Sequence, residues 1–545
     1  MHTVAPVGII GAGPVGMVCA LRLASLGIRS VLLDAKPALV KQGSKACLIQ
    51  GDVVEILDKI ACGERMRDEG VRWNVGRTYV RSKVIATKTF PLDLGFGPFI
   101  NISQHRLEQV MLGEIEANPL CEILWSCRVN EIAQDAESVR IVAESDGARE
   151  EHAFQYLIAC DGVNSSLRGM VGAELDGYTH NARFLITDIK AKLPLHKGRH
   201  FYYDPAFNPG RQVVIHPQPD DIWRIDWQLA PEDDIEAEKL NGKLDRRIRA
   251  VIGDIDYEID WLSTYRFHQR VLRNFRHGRV FFAGDAAHSF PPYGSRGMNS
   301  GIQDADNLIW KMALVLKGEA GDALLDTYHT ERHAAAVENL RITEDTLKFM
   351  VPPNRYRRYM RNTILHLARL MPAMRRFVNS GKMAEPYVYA KSPIVAAGHV
   401  LSGKLAPDAM VCEQGVEARL RKYFGRAFTC VYFAKDAEDA KAFAARQEQT
   451  ANVPHASIIV ILPPAQEVQS IAPDTRILTS NDPDLAQHYG CHRGEWILVR
   501  MDGHVAGHGT HADRVRDAVR NALEPGARSV RKTEEPSDQQ IRRAA

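Results

Sequence analysis

Long apolar runs are missing from this 545-residue chain. None reaches the ~18 residues that a membrane-crossing helix needs, so no stable membrane association is expected. A charge excess of one sign is missing too. Lys plus Arg number 69 against 67 Asp plus Glu, and no basic stripe interleaved with aromatics stands out, which argues against a nucleic-acid partner. The nine cysteines (19, 47, 62, 121, 127, 160, 412, 430 and 491) include no CxxC pair and no zinc spacing. Neither a thiol redox centre nor a metal site is therefore expected. Cys19 and Cys160 lie in apolar segments and read as buried thiols. Only six residues precede the first strand, too few for a secretory signal, so the cytoplasm is the expected compartment. No internal repeat is found. What is present is ordinary globular material, 45% hydrophobic and 25% charged, in a chain long enough for more than one domain.

Three spaced motifs stand out. The first is VGIIGAGPVGMVCALRLASLGIRSVLLDA, residues 7–35. Its apolar start reads as a buried parallel strand, and Gly11, Gly13 and Gly16 follow in G-x-G-x-x-G spacing. Gly11 permits a tight turn, Gly13 lets backbone approach a pyrophosphate, and Gly16 lets a helix pack on the strand. A helix over 14–26 carries Pro14 in its first turn and ends at Gly27. A second strand, 30–33, runs into Asp34, where a ribose-binding carboxylate is expected.

The second motif, YLIACDGVNSSLR (156–168), puts Asp161 at the end of an apolar strand, with Arg168 as a nearby cation. The third is RVFFAGDAAHSFPPYGSRGMNSGIQDADN (279–307). A strand at 280–283 delivers Gly284-Asp285. Pro291-Pro292 stiffens the loop, and glycines 294, 297 and 301 leave backbone amides uncrowded. A helix over 301–316 follows, and its positive N-terminal end suits an anionic ring locus.

Between the motifs, a helix is expected around 52–60, strand-rich sequence over 71–100, and a helix at 104–117. Strands are expected near 121–132, 138–144 and 151–159, then at 211–216 and 222–229. Residues 322–350 read as helix. Residues 355–380 read as a basic amphipathic helix with one solvated face. From about 400, short strands alternate with helical stretches 436–447 and 513–523, a small α/β unit. The tail 526–545, rich in Arg, Glu, Ser and Gln, reads as disordered.

With the three motifs in this order, and with FNPGR (207–211), WRIDWQL (223–229) and YRFHQRV (265–271), the chain resembles a known family over about residues 4–390. It is similar to the single-component (group A) flavoprotein aromatic hydroxylases of the para-hydroxybenzoate hydroxylase fold. The phenol hydroxylase and 3-(3-hydroxyphenyl)propionate hydroxylase branch is the nearest match. The resemblance implies an α/β fold with a discontinuous Rossmann-like FAD-binding domain (1–75, 101–180 and 275–395). It implies a sheet domain for substrate (76–100 and 181–274) and a thioredoxin-like C-terminal domain (400–525) that lacks active-site cysteines. It also implies non-covalent FAD, NADH or NADPH as co-substrate, and O₂, with oxygen delivered to an electron-rich ring from a flavin C4a-hydroperoxide. A homodimer acting on a small aromatic substrate is expected.

Carried onto matching positions, the resemblance assigns Gly11, Gly13, Gly16 and Asp34 to the AMP half of FAD. Gln104 becomes a flavin-side glutamine, Asp161 a residue shared between FAD and NAD(P)H, and Asp285 the ribityl partner. Gly297, Met298 and Asn299 would line the isoalloxazine, with Pro291 beside flavin and substrate. Lys45 stands where the family usually has Arg near the pyrophosphate, keeping charge but losing the bidentate fork. In WRIDWQL, Trp223, Ile225, Trp227 and Leu229 share one face and Arg224, Asp226 and Gln228 the other. The polar face overlooks either the ring pocket or solvent. In the first case Arg224 lies near flavin and Asp226 near substrate as the base, with His216 as second candidate and Tyr203 and Tyr265 behind it. The alternatives are a flavoprotein epoxidase or reductase of a lipid or polyketide, for which the 355–380 helix would bind membrane, and a non-catalytic flavin-binding protein.

Overall fold

The computed structural model describes residues 5–40, 46–92, 97–145, 147–449, 456–463 and 475–525. Lys45 and the tail 526–545 lie outside the described residues. Two compact units are formed, one from 1–310 with 332–385, the other from 311–331 with 386–545.

The first unit is built on a six-stranded sheet. Its order is Arg276–His277, Val280–Phe282, Tyr156–Ala159, Val7–Ile10, Ser30–Leu33, Cys121–Leu124, and all neighbours are parallel except the first pair. The inner strands are buried on both faces, as their unbroken apolar runs require. Register aligns Ile10 with Ala159 and Leu33, and Ala159 with Phe282. Every one of these strands therefore ends at the same edge. The Pro14–Ser25 helix follows the first strand. Its buried Arg22 and the partly buried Lys59 both bind Asp306 of the Arg296–Leu316 helix, at 3.0 and 2.8 Å.

A second sheet of eight strands lies in the same unit. Its order is His288–Ser289, Glu258–Leu272, Leu175–Lys190, Ile222–Gln228, Gln212–Pro217, Arg199–Tyr203, Val75–Val80, Lys83–Thr89. One face is apolar: Leu185, Val213, Ile215, Ile225 and Trp227 pack against Leu244 and Ile248 of the Lys243–Ile252 helix. The other face carries Phe184, Phe201, Tyr203 and Phe267 against Tyr293, Leu347, Met350 and Leu365. Both faces of WRIDWQL are thus covered, and its polar side chains do not face open solvent.

Several sequence expectations are corrected. The strand expected at 151–159 is two, Ala148–Phe154 and Tyr156–Ala159, and that expected at 121–132 is also two. The helix expected from 301 begins at Arg296, after Ser295 turns the chain with a φ of +54°. The helix expected over 355–380 stops at Leu370, because Pro372 cannot donate to the helical ladder, and a 3-10 turn follows. Cys19 is buried, but Cys160, at a strand end, is only half-buried.

In the second unit, a mixed seven-stranded sheet has the order Val416–Arg419, Met410–Glu413, Thr475–Thr479, Ala456–Leu462, Phe428–Phe433, Glu495–Val499, Val505–Gly509. The 475, 456 and 428 strands are parallel and the rest antiparallel. A buried ionic cluster sits in this unit. Glu331 receives Lys311 at 2.8 Å and Arg500 at 2.6 and 2.9 Å, and Ser392 Oγ donates to it as well. Burial opposes charge on Glu331, yet Arg500 and Lys311 hold its carboxyl well below the usual range.

Candidate cofactor and substrate site

The sheet edge brings the three motifs together. Gly11 N donates to Leu33 O, Cys160 N to Ile10 O, and Ala283 N to Ala159 O, at 2.7–3.1 Å. Gly11 has a φ of +104°, and a Cβ there would stand 2.5 Å from Cys160 O. A Cβ on Gly16 would stand 2.0 Å from Gly11 O, so the helix can start this close only with glycine. At Gly13 a Cβ would meet nothing within 4 Å. This glycine is required by no neighbour in the fold and leaves an open cradle at the helix start. Asp34 anchors the loop, its Oδ2 accepting from Ala12 N at 2.8 Å and its Oδ1 from Lys36 N at 2.9 Å. A dinucleotide fits these groups: an uncrowded helix N-terminus for phosphates beside a carboxylate for a ribose.

The second and third motifs meet through Arg168, which donates to Val163 O and to Ala286 O. Asp161 caps its own turn, accepting from Ser166 N at 3.0 Å, and burial pushes its carboxyl above the usual range. Asp285 is exposed, its Oδ1 about 4 Å from where a Cβ on Gly297 would stand. A Cβ on Gly301 would strike Val15 Cγ2 at 2.6 Å, so the Arg296–Leu316 helix docks onto the first nucleotide helix. Gly297 and Met298 are half-buried in the first turn, and Pro291 is buried just before it. Asn299, the third residue of this run, is buried. Its amide donates to Leu48 O and Ser295 O and accepts from Gln50 N, so it ties the helix start to the Leu48–Gln50 strand. Gln104 opens its helix and donates to Glu108 at 2.9 Å.

That tie leads to the polar face of the second sheet. Cys47, next to Leu48, is a buried thiol pushed up to about 12 by burial; Arg224 pulls it down, and Asp226 and Asp188 raise it. Arg224 is 1% exposed and forks onto Asp188 at 2.8 and 2.7 Å. Its charge is therefore neutralised by a protein carboxylate. Asp226, one pleat along, has no such partner. Its Oδ1 is buried without a hydrogen bond, and burial pushes its carboxyl up to about 7, Asp188 adding and Arg224 and Arg199 opposing.

The same unit holds further groups that the sequence did not single out, and Arg199 feels the charge of Asp226. Arg199 is half-buried, donates to Ser380 O at 3.0 Å, and is lowered to about 10 by burial. Tyr293 OH, Gln212 Oε1 and both side-chain atoms of Gln50 are buried without partners. His216 lies on the neighbouring strand, with Nδ1 unpartnered, and burial with Arg199 and Arg224 holds it well below its usual value. Tyr203 spends its hydroxyl on Asn379 O. Tyr265 is half-buried and raised by burial, with Asp226 and Tyr293 contributing. Buried polar atoms without a protein partner are costly unless water or a ligand completes them. A ligand with one acidic hydroxyl and an apolar body matches this donor and acceptor set.

A different polar cluster supports the helix from below. Asp304 accepts from His288 and Arg332, both at 2.6 Å, and from Gly284 N at 3.0 Å, all buried. Sequence reasoning missed it, though two acids, Asp304 and Asp306, in the largely buried helix segment IQDADNLIW were a signal. No helix among the described residues is long and apolar enough to cross a membrane.

Comparison with known proteins bears on this geometry. The signature of the FAD binding domain family matches residues 4–343. A 3-(3-hydroxy-phenyl)propionate/3-hydroxycinnamic acid hydroxylase from Mycolicibacterium smegmatis is 30% identical over 383 residues, 68% of this chain and 66% of the relative. The chain thus spans just under two thirds of that relative's length. A para-nitrophenol 4-monooxygenase from a Pseudomonas species (strain WBC-3) is 29% identical over 346 residues, 62% of this chain and 85% of the relative. Among solved structures, the flavin-dependent monooxygenase PieE in complex with FAD and substrate superposes with a TM-score of 0.79. It is 20% identical, over 96% of this chain and 99% of that one, which is a likeness of fold.

Proposed function

We propose, from the premise that this chain belongs to the FAD binding domain family, that it is a flavoprotein monooxygenase that hydroxylates a phenolic ring with NAD(P)H and O₂. The names of the hydroxyphenylpropionate and nitrophenol relatives support this reading. The observation that carries it is Asp226: an unpaired carboxylate raised to about 7, on a covered face reached from the third motif.

Gly11, Gly13 and Gly16 would cradle the pyrophosphate and Asp34 a ribose. Asp285 would hold the ribityl chain, with Gly297 and Met298 facing the ring system. Bound FAD supplies the redox chemistry, taking electrons from NAD(P)H and activating O₂. The chain's own residues prepare the substrate. A general base works best with a pKa near the operating pH, which Asp226 has; His216, held far below its usual value, is the weaker base. Asp226 Oδ1 takes the phenolic proton. Arg199, the cation nearby without a carboxylate fork, offset by Asp226 only at longer range, steadies the resulting negative charge. The Arg224–Asp188 pair fixes the pocket without adding net charge. Thioredoxin-like character of the C-terminal sheet, a homodimer and a cytoplasmic location belong to the same reading.

The test is oxidation of NADH and of NADPH by the FAD-loaded protein against a panel of substituted phenols, with product analysis. Ring-hydroxylated product in proportion to nicotinamide consumed is expected. A protein that binds FAD but forms no hydroxylated product from any phenol refutes the reading.

A further inference from the structure

Between Thr346 and Ala384 the chain has no Asp or Glu but nine Lys or Arg, in a protein whose net charge is only +2. The Arg355–Leu370 helix lies within this stretch. Its inner face, Arg361, Leu365 and Ala368, is buried. Its opposite face carries a second apolar stripe at helical spacing, Tyr356, Tyr359, Met360, Leu367 and Leu370, interrupted by the hydroxyl of Thr363. Tyr356 and Tyr359 are 71% and 72% exposed and Leu370 66%. Met371 and Phe377 continue the stripe past the helix end, at 50% and 48%. Arg355, Arg357 and Arg358 are exposed along its flanks. A helix that stays in water presents a polar outer face; this one is apolar on both sides and basic between them.

We propose that this outer face docks the enzyme on an anionic phospholipid surface, the helix lying in the plane of the interface. The side chains match such a surface in both respects. Tyr, Met and Leu enter the boundary between headgroups and acyl chains, and arginines reach the lipid phosphates. A second copy of the chain fits less well, because a two-fold interface would set the acid-free cationic stretch against itself. A nucleic acid would use the arginines but leave Met360, Leu370 and Met371 unaccounted for. The attachment is peripheral and independent of the ring chemistry proposed above.

Flotation of the FAD-loaded full chain with phosphatidylcholine vesicles, with and without phosphatidylglycerol, tests it. Binding to the anionic vesicles only, weakening as salt rises, is expected. Changing Arg355→Gln and Arg358→Gln together should lower partitioning about thirtyfold, roughly fivefold per charge. Tyr359→Ser with Met360→Ser should lower it while FAD content and the melting temperature stay as in the wild type. Absence of flotation, or flotation that neither pair of substitutions changes, overturns the proposal. So does a wild-type dimer in solution that Tyr359→Ser with Met360→Ser splits into monomers, since a second copy would then cover the face.

Discussion

Asp226→Asn separates chemistry from stability, and the two should move in opposite directions. In the folded protein the carboxyl sits at about 7 against an ordinary 3.8, a difference worth about 4 kcal/mol of proton affinity. The folded state therefore holds this proton more tightly than the unfolded state does. The stabilisation is complete below about pH 3.8, is lost progressively as pH rises, and is gone above about 7. Asparagine has no charge to bury. The variant should be the more stable protein by up to about 4 kcal/mol at pH 8 and by about 1.6 kcal/mol at pH 5, and should match wild type only below about pH 3.8. Catalysis should go the other way. Loss of a positioned base typically costs about 10²–10⁴ in rate, so electrons from NAD(P)H would leave as hydrogen peroxide in place of hydroxylated product. In the wild type, coupled hydroxylation should rise with pH through about 7 and then level off; the variant should lack this rise. Thermal unfolding at both pH values, with the peroxide-to-product ratio, measures both halves. An unchanged ratio together with an unchanged melting temperature at pH 8 would refute the reasoning and turn attention to His216.

Other expectations are as direct. Gly13→Ala should fold normally but bind FAD more weakly, since its Cβ would enter only the open cradle, whereas Gly16→Ala should fail to form the loop; flavin absorbance and circular dichroism distinguish the two. Asp285→Ala should lose FAD, while Asp161→Ala should keep it and be reduced more slowly by NAD(P)H, as stopped-flow flavin bleaching would show. Glu331→Ala leaves Arg500 and Lys311 buried without their shared carboxylate and should cost about 3–5 kcal/mol; calorimetry would register the shift.

Much of the nucleotide site was legible because its physics is local. A turn that admits only glycine and a strand buried on both faces leave marks within thirty residues, and the first motif folds as expected over residues 7–35. The alternation in WRIDWQL was legible too, but not what covered it. Period two says that Arg224 and Asp226 share a face; it cannot say that Asp188 neutralises the first and leaves the second alone. That distinction depends on a strand 36 residues earlier. Arg199 escaped notice for the same reason: it is an ordinary residue in its own segment, and only the fold sets it within the field of Asp226. Asn299 adds a tie that no local pattern shows: its amide holds the Leu48–Gln50 backbone, some 250 residues earlier.

The cluster around Glu331 also bears on how the chain is made. Arg500 lies 169 residues downstream of the carboxylate it neutralises. A ribosome that has released the three nucleotide motifs and the hairpin of residues 311–331 has not yet supplied this partner. Until Arg500 emerges, Glu331 has Lys311 and, later, Ser392, but lacks the guanidinium fork. The last third of the chain then acts as a late quality check during synthesis. A product cut short before residue 500 would carry an intact GxGxxG loop and an unfinished hairpin, and would be visible to proteases and chaperones as such.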